Sequence, residues 1–346
     1  MGVVSAMAPS FEIFLFIRTV TGVSIGAMVV VYDNLYESMV VKEGTRLTYT
    51  VNYFWSAGSM YVSFAAMFVL PGGWRLLCVL AAVPLILAVI GNFWQEESAK
   101  WLMTHGSEKG AKEVLQKIAS LDGKDVSKLP LEVPKEVKHP SYLELCKHGY
   151  CSQTCAFAVM YFLGTFSCYA LAFATPLAFK GGEGVVDFRE VFFSTCGDFA
   201  GIAIGYLMIV YGGGSLGSKV MRAVSGGFAV LGISSLVVAF LKETISKVFL
   251  ALVIFLMRAS SMWGVCAYWT ASPLAYPTFI RTTSHSFFMA IGRCGGILAT
   301  LVPPDWSIEF RATVFAGASF IIALLAWLLK STVRDEDEVD EVPAAE

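Results

Sequence analysis

The sequence predicts an all-α membrane protein, and two observations support that prediction. Apolar residues make up 56% of the 346 residues and charged residues only 15%, whereas a soluble globular protein is usually near a quarter charged. The apolar residues also fall into blocks of about 20, which is the length a helix needs to cross a hydrocarbon core of roughly 30 Å. Because lipid cannot satisfy exposed backbone groups, each block is expected to be a helix.

Nine blocks of this kind follow one another along the chain, separated by polar joints. The predicted spans are residues 10–32, 49–70, 73–94, 150–179, 190–211, 219–241, 245–272, 282–302 and 309–330.

The basic residues orient these spans. The polar segment 95–149 carries nine lysines. If that segment is cytoplasmic, sixteen of the 25 basic residues lie in joints or span ends on its side of the membrane, six lie in those on the opposite side, and three lie deeper within spans. This bias follows the positive-inside rule. We therefore expect the segment to be cytoplasmic.

Hydropathy divides the chain into four parts. Residues 1–94 hold three spans of an N-terminal bundle, and 95–149 form a linker with a short amphipathic helix at Glu108–Ser120. Residues 150–330 hold six spans, and 331–346 are an acidic cytoplasmic tail. Symmetric transporters are built from paired repeats, so six spans after the linker predict six before it. We expect three spans to be missing, and we expect these 346 residues not to transport on their own.

Several short motifs occur along the chain in the same order as in a known superfamily. They are Arg18-x3-Gly22-x3-Gly26, Tyr36-Glu37 with Arg46, Gly73-Trp74-Arg75, Glu97-Ser98-Ala99-Lys100-Trp101-Leu102, Tyr276-Pro277-Thr278-x2-Arg281 and Gly292-Arg293-x-Gly295. Together they resemble helices four to twelve of the major facilitator superfamily, in the branch of organic ion transporters and synaptic-vesicle-related transporters. The resemblance covers nearly the whole chain and implies a truncated transporter fold with about nine transmembrane helices.

The resemblance also implies a charge network at the cytoplasmic ends of the helices, where it helps to lock the two halves of the family's proteins. The matching residues here are Arg18, Glu37, Arg46, Glu97 and Arg281. Leu274 stands where the family usually has glutamate, and the loop 212–219 keeps only Gly217 and Lys219 of its usual pattern. These departures leave open a transport-inactive membrane scaffold, or a non-functional fragment of a transporter.

Ionised groups inside spans usually face a partner or a watery cavity. Arg258 lies mid-span, and Arg293 lies in the span that lines the central path of related transporters. Anion carriers of that branch tend to have arginine there and cation carriers aspartate. The resemblance therefore slightly favours an anion held by a guanidinium fork. The candidate substrate-path residues are Arg258, Arg293, Trp263, Tyr268, Trp269 and Tyr161.

Simpler structural roles compete with these candidates. A charged residue near a helix end pairs or extends its head toward the lipid headgroups, and aromatic residues pack or anchor helices at the interface.

No cofactor, metal or catalytic group is predicted. Cys146, His148, Cys151 and Cys155 lie within ten residues, and Cys-x3-Cys spacing suits zinc. However, two of these cysteines open a predicted helix, where cysteine often serves as a small apolar residue. The chain lacks a phosphate loop, and its histidines are scattered, which argues against an enzyme.

The expected partners are the lipid bilayer and a small organic ion, with or without coupling to an ion gradient, and no nucleic acid. The expected location is a multi-pass protein of the plasma membrane or of an intracellular vesicle.

Overall fold

The computed structural model describes residues 2–26, 41–69, 73–94, 96–97, 99–104, 107–121, 141–147, 149–179, 186–242, 244, 246–276, 278–303, 305–331 and 333. Helices dominate this part of the chain. They are α1 (Gly2–Ala6), α2 (Phe11–Gly26), α3 (Val41–Val69), α4 (Trp74–Asn92), α5 (Ala99–Thr104), α6 (Glu108–Leu121), α7 (Cys151–Ala178), α8 (Phe188–Tyr211), α9 (Leu216–Leu241), α10 (Lys247–Leu274), α11 (Thr278–Thr300) and α12 (Ile308–Leu329), with a 3₁₀ helix at Tyr142–Cys146.

The predicted all-helical membrane fold is confirmed. Among the described residues, six helices are long and apolar enough to cross a membrane, namely α4, α7, α8, α9, α10 and α12. The other three predicted spans fall on α2, α3 and α11. These three helices carry more polar residues or have a shorter described length, and their crossing stays a prediction.

The chain forms two compact units. The first comprises Met1–Gly44 and Gly72–His139, and the second comprises Thr45–Pro71 and Pro140–Glu346. The predicted domain limits of 94, 149 and 330 stay a prediction.

In the first unit, α1 packs against α4. Gly2 lies so close to Ala82 that a larger residue would press on it. The guanidinium of Arg75 donates to the carbonyl oxygen of Ala8 at 3.2 Å. The segment in which the sequence predicts an amphipathic helix forms α6, which buries Ala111 and exposes Lys109 to solvent.

In the second unit, α9 packs against α10 and α12, α8 against α10, and α7 against α11 and α12. Serine or aspartate caps begin several of these helices by accepting a backbone N–H, as expected at helix starts. The capping residues are Asp187 (α8), Ser215 (α9), Ser246 (α10) and Ser307 (α12).

Glycine lets α8 and α10 approach each other at backbone distance. A Cβ atom at Gly197 or Gly201 would overlap the carbonyl oxygen of Phe255 or Ala259 on α10. Close packing of this kind is typical of small residues in membrane helices. At Gly22, by contrast, a Cβ atom would meet no described atom within 4 Å.

Candidate functional site

A cavity opens inside the second unit, between α3, α7, α10 and α11. The space open to the centres of water-sized molecules is about 40 Å³, and about 570 Å³ lies between the walls when the open mouth is counted. Its lining is mostly apolar and aromatic, with a few polar groups. The lining residues are Asn52, Trp55, Tyr161, Thr165, Cys168, Tyr169, Met262, Val265, Cys266, Tyr268, Trp269, Met289, Gly292 and Arg293. Four of the six predicted path residues are therefore brought together: Tyr161, Tyr268, Trp269 and Arg293.

Arg293 supplies the positive charge of this cavity. Its guanidinium donates to the hydroxyl of Tyr169 on α7 at 3.2 Å, and its side chain is half-buried. Among the described residues, no carboxylate forms an ion pair with it. Arg293 is thus a half-buried positive charge beside mostly apolar walls, where water screens a charge less than it does at an open surface.

Two tyrosines form the aromatic wall. The rings of Tyr161 and Tyr268 lie 4.6 Å apart between centroids, within the usual range for an aromatic pair. The Tyr161 hydroxyl is 2.6 Å from the hydroxyl of Ser272, and the Tyr268 hydroxyl is 3.3 Å from that of Thr165. These hydrogen bonds fix both rings. The ring of Tyr268 also lies against Gly164, where a Cβ atom would overlap it.

Trp269 adds a polar group to the wall. Its indole N–H is buried and interacts with the hydroxyl of Tyr268, the neighbouring residue of the wall.

An aromatic cluster packs against Tyr161, one of the lining residues. Phe288 lies 5.4 Å from the Tyr161 ring and 5.7 Å from the Tyr276 ring, and all three residues are fully buried. The Tyr276 hydroxyl is 2.9 Å from that of Thr154, and Gln153 donates to the carbonyl of Ala275 at 2.7 Å. The start of α7 is thus tied to the turn between α10 and α11.

Arg258 does not line the cavity, and it is paired. It donates to the two carboxylate oxygens of Asp198 on α8 at 3.1 and 2.6 Å, and to the hydroxyl of Ser59 on α3 at 3.4 Å. The side chains are only 12% exposed for Arg258 and 5% for Asp198. The two charges therefore offset each other within the helix bundle.

Trp263 lies outside the cavity as well. Its ring packs beside Gly205 on α8 and Gly226 on α9, and its backbone carbonyl accepts from the Tyr49 hydroxyl at 3.2 Å. In this structure Trp263 therefore joins helices rather than forming a wall.

The predicted gating residues divide between the two units. In the first unit, Arg18 is exposed with its guanidinium 6.0 Å from the Phe14 ring centre, and Glu97 is exposed. In the second, Arg46 and Arg281 are partly buried. Glu37 lies outside the described residues. The network stays a prediction.

Sequence reasoning missed Thr165 and Cys168 among the lining residues, although they share a helix face with the predicted Tyr161. Tyr161, Thr165, Cys168 and Tyr169 recur at intervals of four, seven and eight residues, which places them on one face of α7. Asn52 belongs to the lining too, and its amide donates to the carbonyls of Thr48 and Tyr49 at 3.1 and 3.0 Å. Helical spacing identifies such a face, but hydropathy does not tell whether it meets a cavity or another helix.

The cysteines have no partner in a disulfide: all eight are free. Cys146, Cys151 and Cys155 are exposed, and no group of three metal-binding side chains occurs in the part of the chain that the structure describes. His148 of the sequence cluster lies outside that part.

Comparison with known proteins identifies the fold. The family described as "Sugar (and other) transporter" matches residues 1–178, just over half of the chain. The chain belongs to this transporter family. The match confirms the resemblance to the major facilitator superfamily that the motifs indicated.

Two relatives of this transporter-family chain agree with the predicted branch. The synaptic vesicle 2-related protein of Bos taurus is 24% identical over 95% of this chain and 63% of its own length. Solute carrier family 22 member 7 of Mus musculus is 27% identical over 96% of this chain and 62% of its own length. The chain thus spans less than two thirds of either relative. The family and its apolar helices make it a multi-pass protein of the plasma or a vesicle membrane.

Proposed function

We propose that this chain is part of a secondary transporter that binds a small organic anion in the cavity beside Arg293. The single observation that carries the proposal is the half-buried Arg293 guanidinium, which faces the cavity without an ion-pair partner among the described residues. Family membership supports movement of a solute across a membrane. The proposal includes no chemical conversion of the solute.

The cavity wall indicates which kind of chemical group accompanies the negative charge of the anion. Tyr161, Tyr268, Trp269 and Trp55 present ring faces and edges, which pack well against a flat apolar group. The Tyr169 hydroxyl holds Arg293 from one side, so the remaining N–H groups of the guanidinium are available to a carboxylate or sulfate.

Alternating access is the transport mechanism that the family resemblance implies. The site would open to one side of the membrane and then to the other as helices rock about it.

Two hydrogen bonds between α3 and α10 lie on either side of the α3 residues that line the cavity. One joins Tyr49 to the Trp263 carbonyl, and the other joins Ser59 to Arg258. Their positions along α3 support a role in closing opposite ends of the cavity. A gradient of an accompanying ion would supply the energy for uphill movement.

Calorimetric titration of the purified 346-residue chain tests the binding step, using benzoate and benzylammonium as probes of opposite charge. We expect saturable binding of benzoate and none of benzylammonium, because the cavity offers a cation and no described carboxylate. Binding of benzylammonium alone would contradict the anion proposal.

The transport step is tested separately, in proteoliposomes loaded with unlabelled benzoate. Saturable uptake of labelled benzoate would support alternating access and would contradict the expectation that these 346 residues do not transport on their own. Binding without uptake agrees with that expectation and leaves the scaffold alternative open.

A further inference from the structure

The ion pair between Asp198 and Arg258 borders the cavity. It lies about one helical turn from lining residues on α10 and on α3. On α10, Arg258 precedes the lining residue Met262 by four positions. On α3, Ser59, which accepts from Arg258, follows the lining residue Trp55 by four positions. Four residues span about one turn and about 5–6 Å along a helix face. The pair thus borders the end of the cavity formed by the later part of α3 and the earlier part of α10.

Arg258 is long enough to cover that distance. The extended side chain of arginine is about as long as one helical turn, and Cys168, which lines the cavity on α7, lies within electrostatic range of both Arg258 and Asp198. Arg258 is not among the lining residues, and Asp198 holds it by accepting two hydrogen bonds, at 3.1 and 2.6 Å.

We propose that Asp198 is a specificity-determining residue that sets the charge of the bound anion. By holding Arg258 in an ion pair, Asp198 leaves Arg293 as the cation available to a guest among the described residues, and the cavity selects monoanions over dianions. The inference rests on the proposed binding of an organic anion.

The physical reason is charge balance inside a membrane. A charge moved into the low-dielectric interior is costly unless it meets an opposite charge. One available cation balances a monoanion, whereas the second charge of a dianion would remain uncompensated. Releasing Arg258 would supply the missing cation. Asparagine at position 198 is nearly the same shape as aspartate and carries no charge, so it removes the attraction with little change in packing.

The experiment compares two probes that differ by one carboxylate, benzoate and terephthalate, by calorimetric titration of the full 346-residue chain. The wild-type chain is expected to bind benzoate at least tenfold more tightly than terephthalate. In Asp198→Asn the terephthalate affinity is expected to rise at least tenfold relative to that of benzoate. The double variant Asp198→Asn/Arg258→Gln removes both charges and is expected to restore the wild-type preference.

Arg258→Gln tests the opposite change in charge near the cavity, because it removes the cation and leaves the Asp198 carboxylate unpaired. Both anions should then bind more weakly, and terephthalate should lose more than benzoate. This variant also serves if Asp198→Asn does not elute as a folded protein in size-exclusion chromatography.

Three results have distinct meanings. If the wild-type chain binds neither anion, the proposed function itself fails. Equal wild-type affinity for the two anions overturns the selectivity inference without touching the proposed function. An unchanged terephthalate-to-benzoate ratio in folded Asp198→Asn, or in folded Arg258→Gln, shows that the pair is structural only and also overturns the inference.

Discussion

The hydroxyl of Tyr49 on α3 donates to the backbone carbonyl of Trp263 on α10 at 3.2 Å. Tyr49 is fully buried, and its hydroxyl lies where a Cβ atom at Gly205 on α8 would be. Three helices therefore meet at one side chain, and a glycine on α8 makes room for it. The contact explains why Trp263, which the sequence grouped with the path residues, is held at a helix junction.

Tyr49→Phe should lower the apparent melting temperature of the detergent-solubilised chain by a few degrees. The variant removes one hydrogen bond worth about 1 kcal/mol and leaves the Trp263 carbonyl with one donor fewer. Scanning fluorimetry measures the shift. Tyr142→Phe, which alters an exposed tyrosine, is the matched control and should melt as the wild type does. Equal melting of the two variants would contradict the assigned role of Tyr49.

Gly201→Ala should destabilise the second unit, because the added Cβ atom would overlap the backbone carbonyl of Ala259. Overpacking of this kind costs about 1–3 kcal/mol. The same change at Gly317 on α12, where a Cβ atom meets nothing within 4 Å, should be neutral or stabilising because alanine favours a helix over glycine.

The two alanine variants are compared by apparent melting temperature and by the monodisperse fraction in size-exclusion chromatography. If Gly201→Ala melts at or above the temperature of Gly317→Ala, the close approach of α8 and α10 is not as described.

Cys146 should be alkylated more slowly than an ordinary exposed thiol near pH 8. A hydrogen bond with the Cys151 thiol raises the pKa of Cys146 above its usual range, because donation to a neighbour stabilises the protonated form. Only the thiolate reacts, so its labelling curve should be displaced to higher pH. Iodoacetamide labelling with mass spectrometry measures each cysteine separately.

Cys151→Ala removes that partner and should return the Cys146 labelling curve to lower pH. Cys155→Ala removes only a weaker electrostatic influence and should displace the curve less. Identical curves in all three proteins would show that Cys146 and Cys151 are not hydrogen-bonded.

The sequence predicted the fold in some detail because hydropathy and motif order can be determined without any knowledge of packing. It placed Arg293, Tyr161, Tyr268 and Trp269 in one group, and these residues do line one cavity. It treated Arg258 as a cavity candidate because a charge in mid-span needs a partner or water, and the structure supplies the partner as Asp198.

What the sequence could not supply is the rotation of each helix about its axis. Residues 198 and 258 are far apart in the chain, and nothing in their local patterns indicates that α8 and α10 face each other at that level. Gly201 and Gly197 bring the two backbones together. In the sequence, the spacing of Gly201 to Gly205 is only a weak signal, because such pairs are common in membrane helices.

Tyr169→Phe should weaken benzoate binding about threefold to tenfold. The Tyr169 hydroxyl accepts from Arg293 at 3.2 Å and so holds the guanidinium toward the cavity. Its loss leaves the charge in place but frees the side chain to move, which lowers affinity less than removal of the charge would. Calorimetric titration measures the change, with Tyr211→Phe, an exposed tyrosine at the end of α8, as the control. Unaltered affinity in Tyr169→Phe would show that the tyrosine does not position Arg293.

The most direct test of the anion site is the affinity of benzoate for the chain with and without the Arg293 guanidinium. Arg293→Gln should raise the dissociation constant at least tenfold, since a hydrogen bond to a charged group contributes about 1.5–3 kcal/mol and 1.4 kcal/mol corresponds to a factor of ten. Arg189→Gln removes the same charge from an exposed position at the start of α8 and should leave the constant unchanged. Benzoate binding that is equally strong in folded Arg293→Gln and in Arg189→Gln would contradict the account.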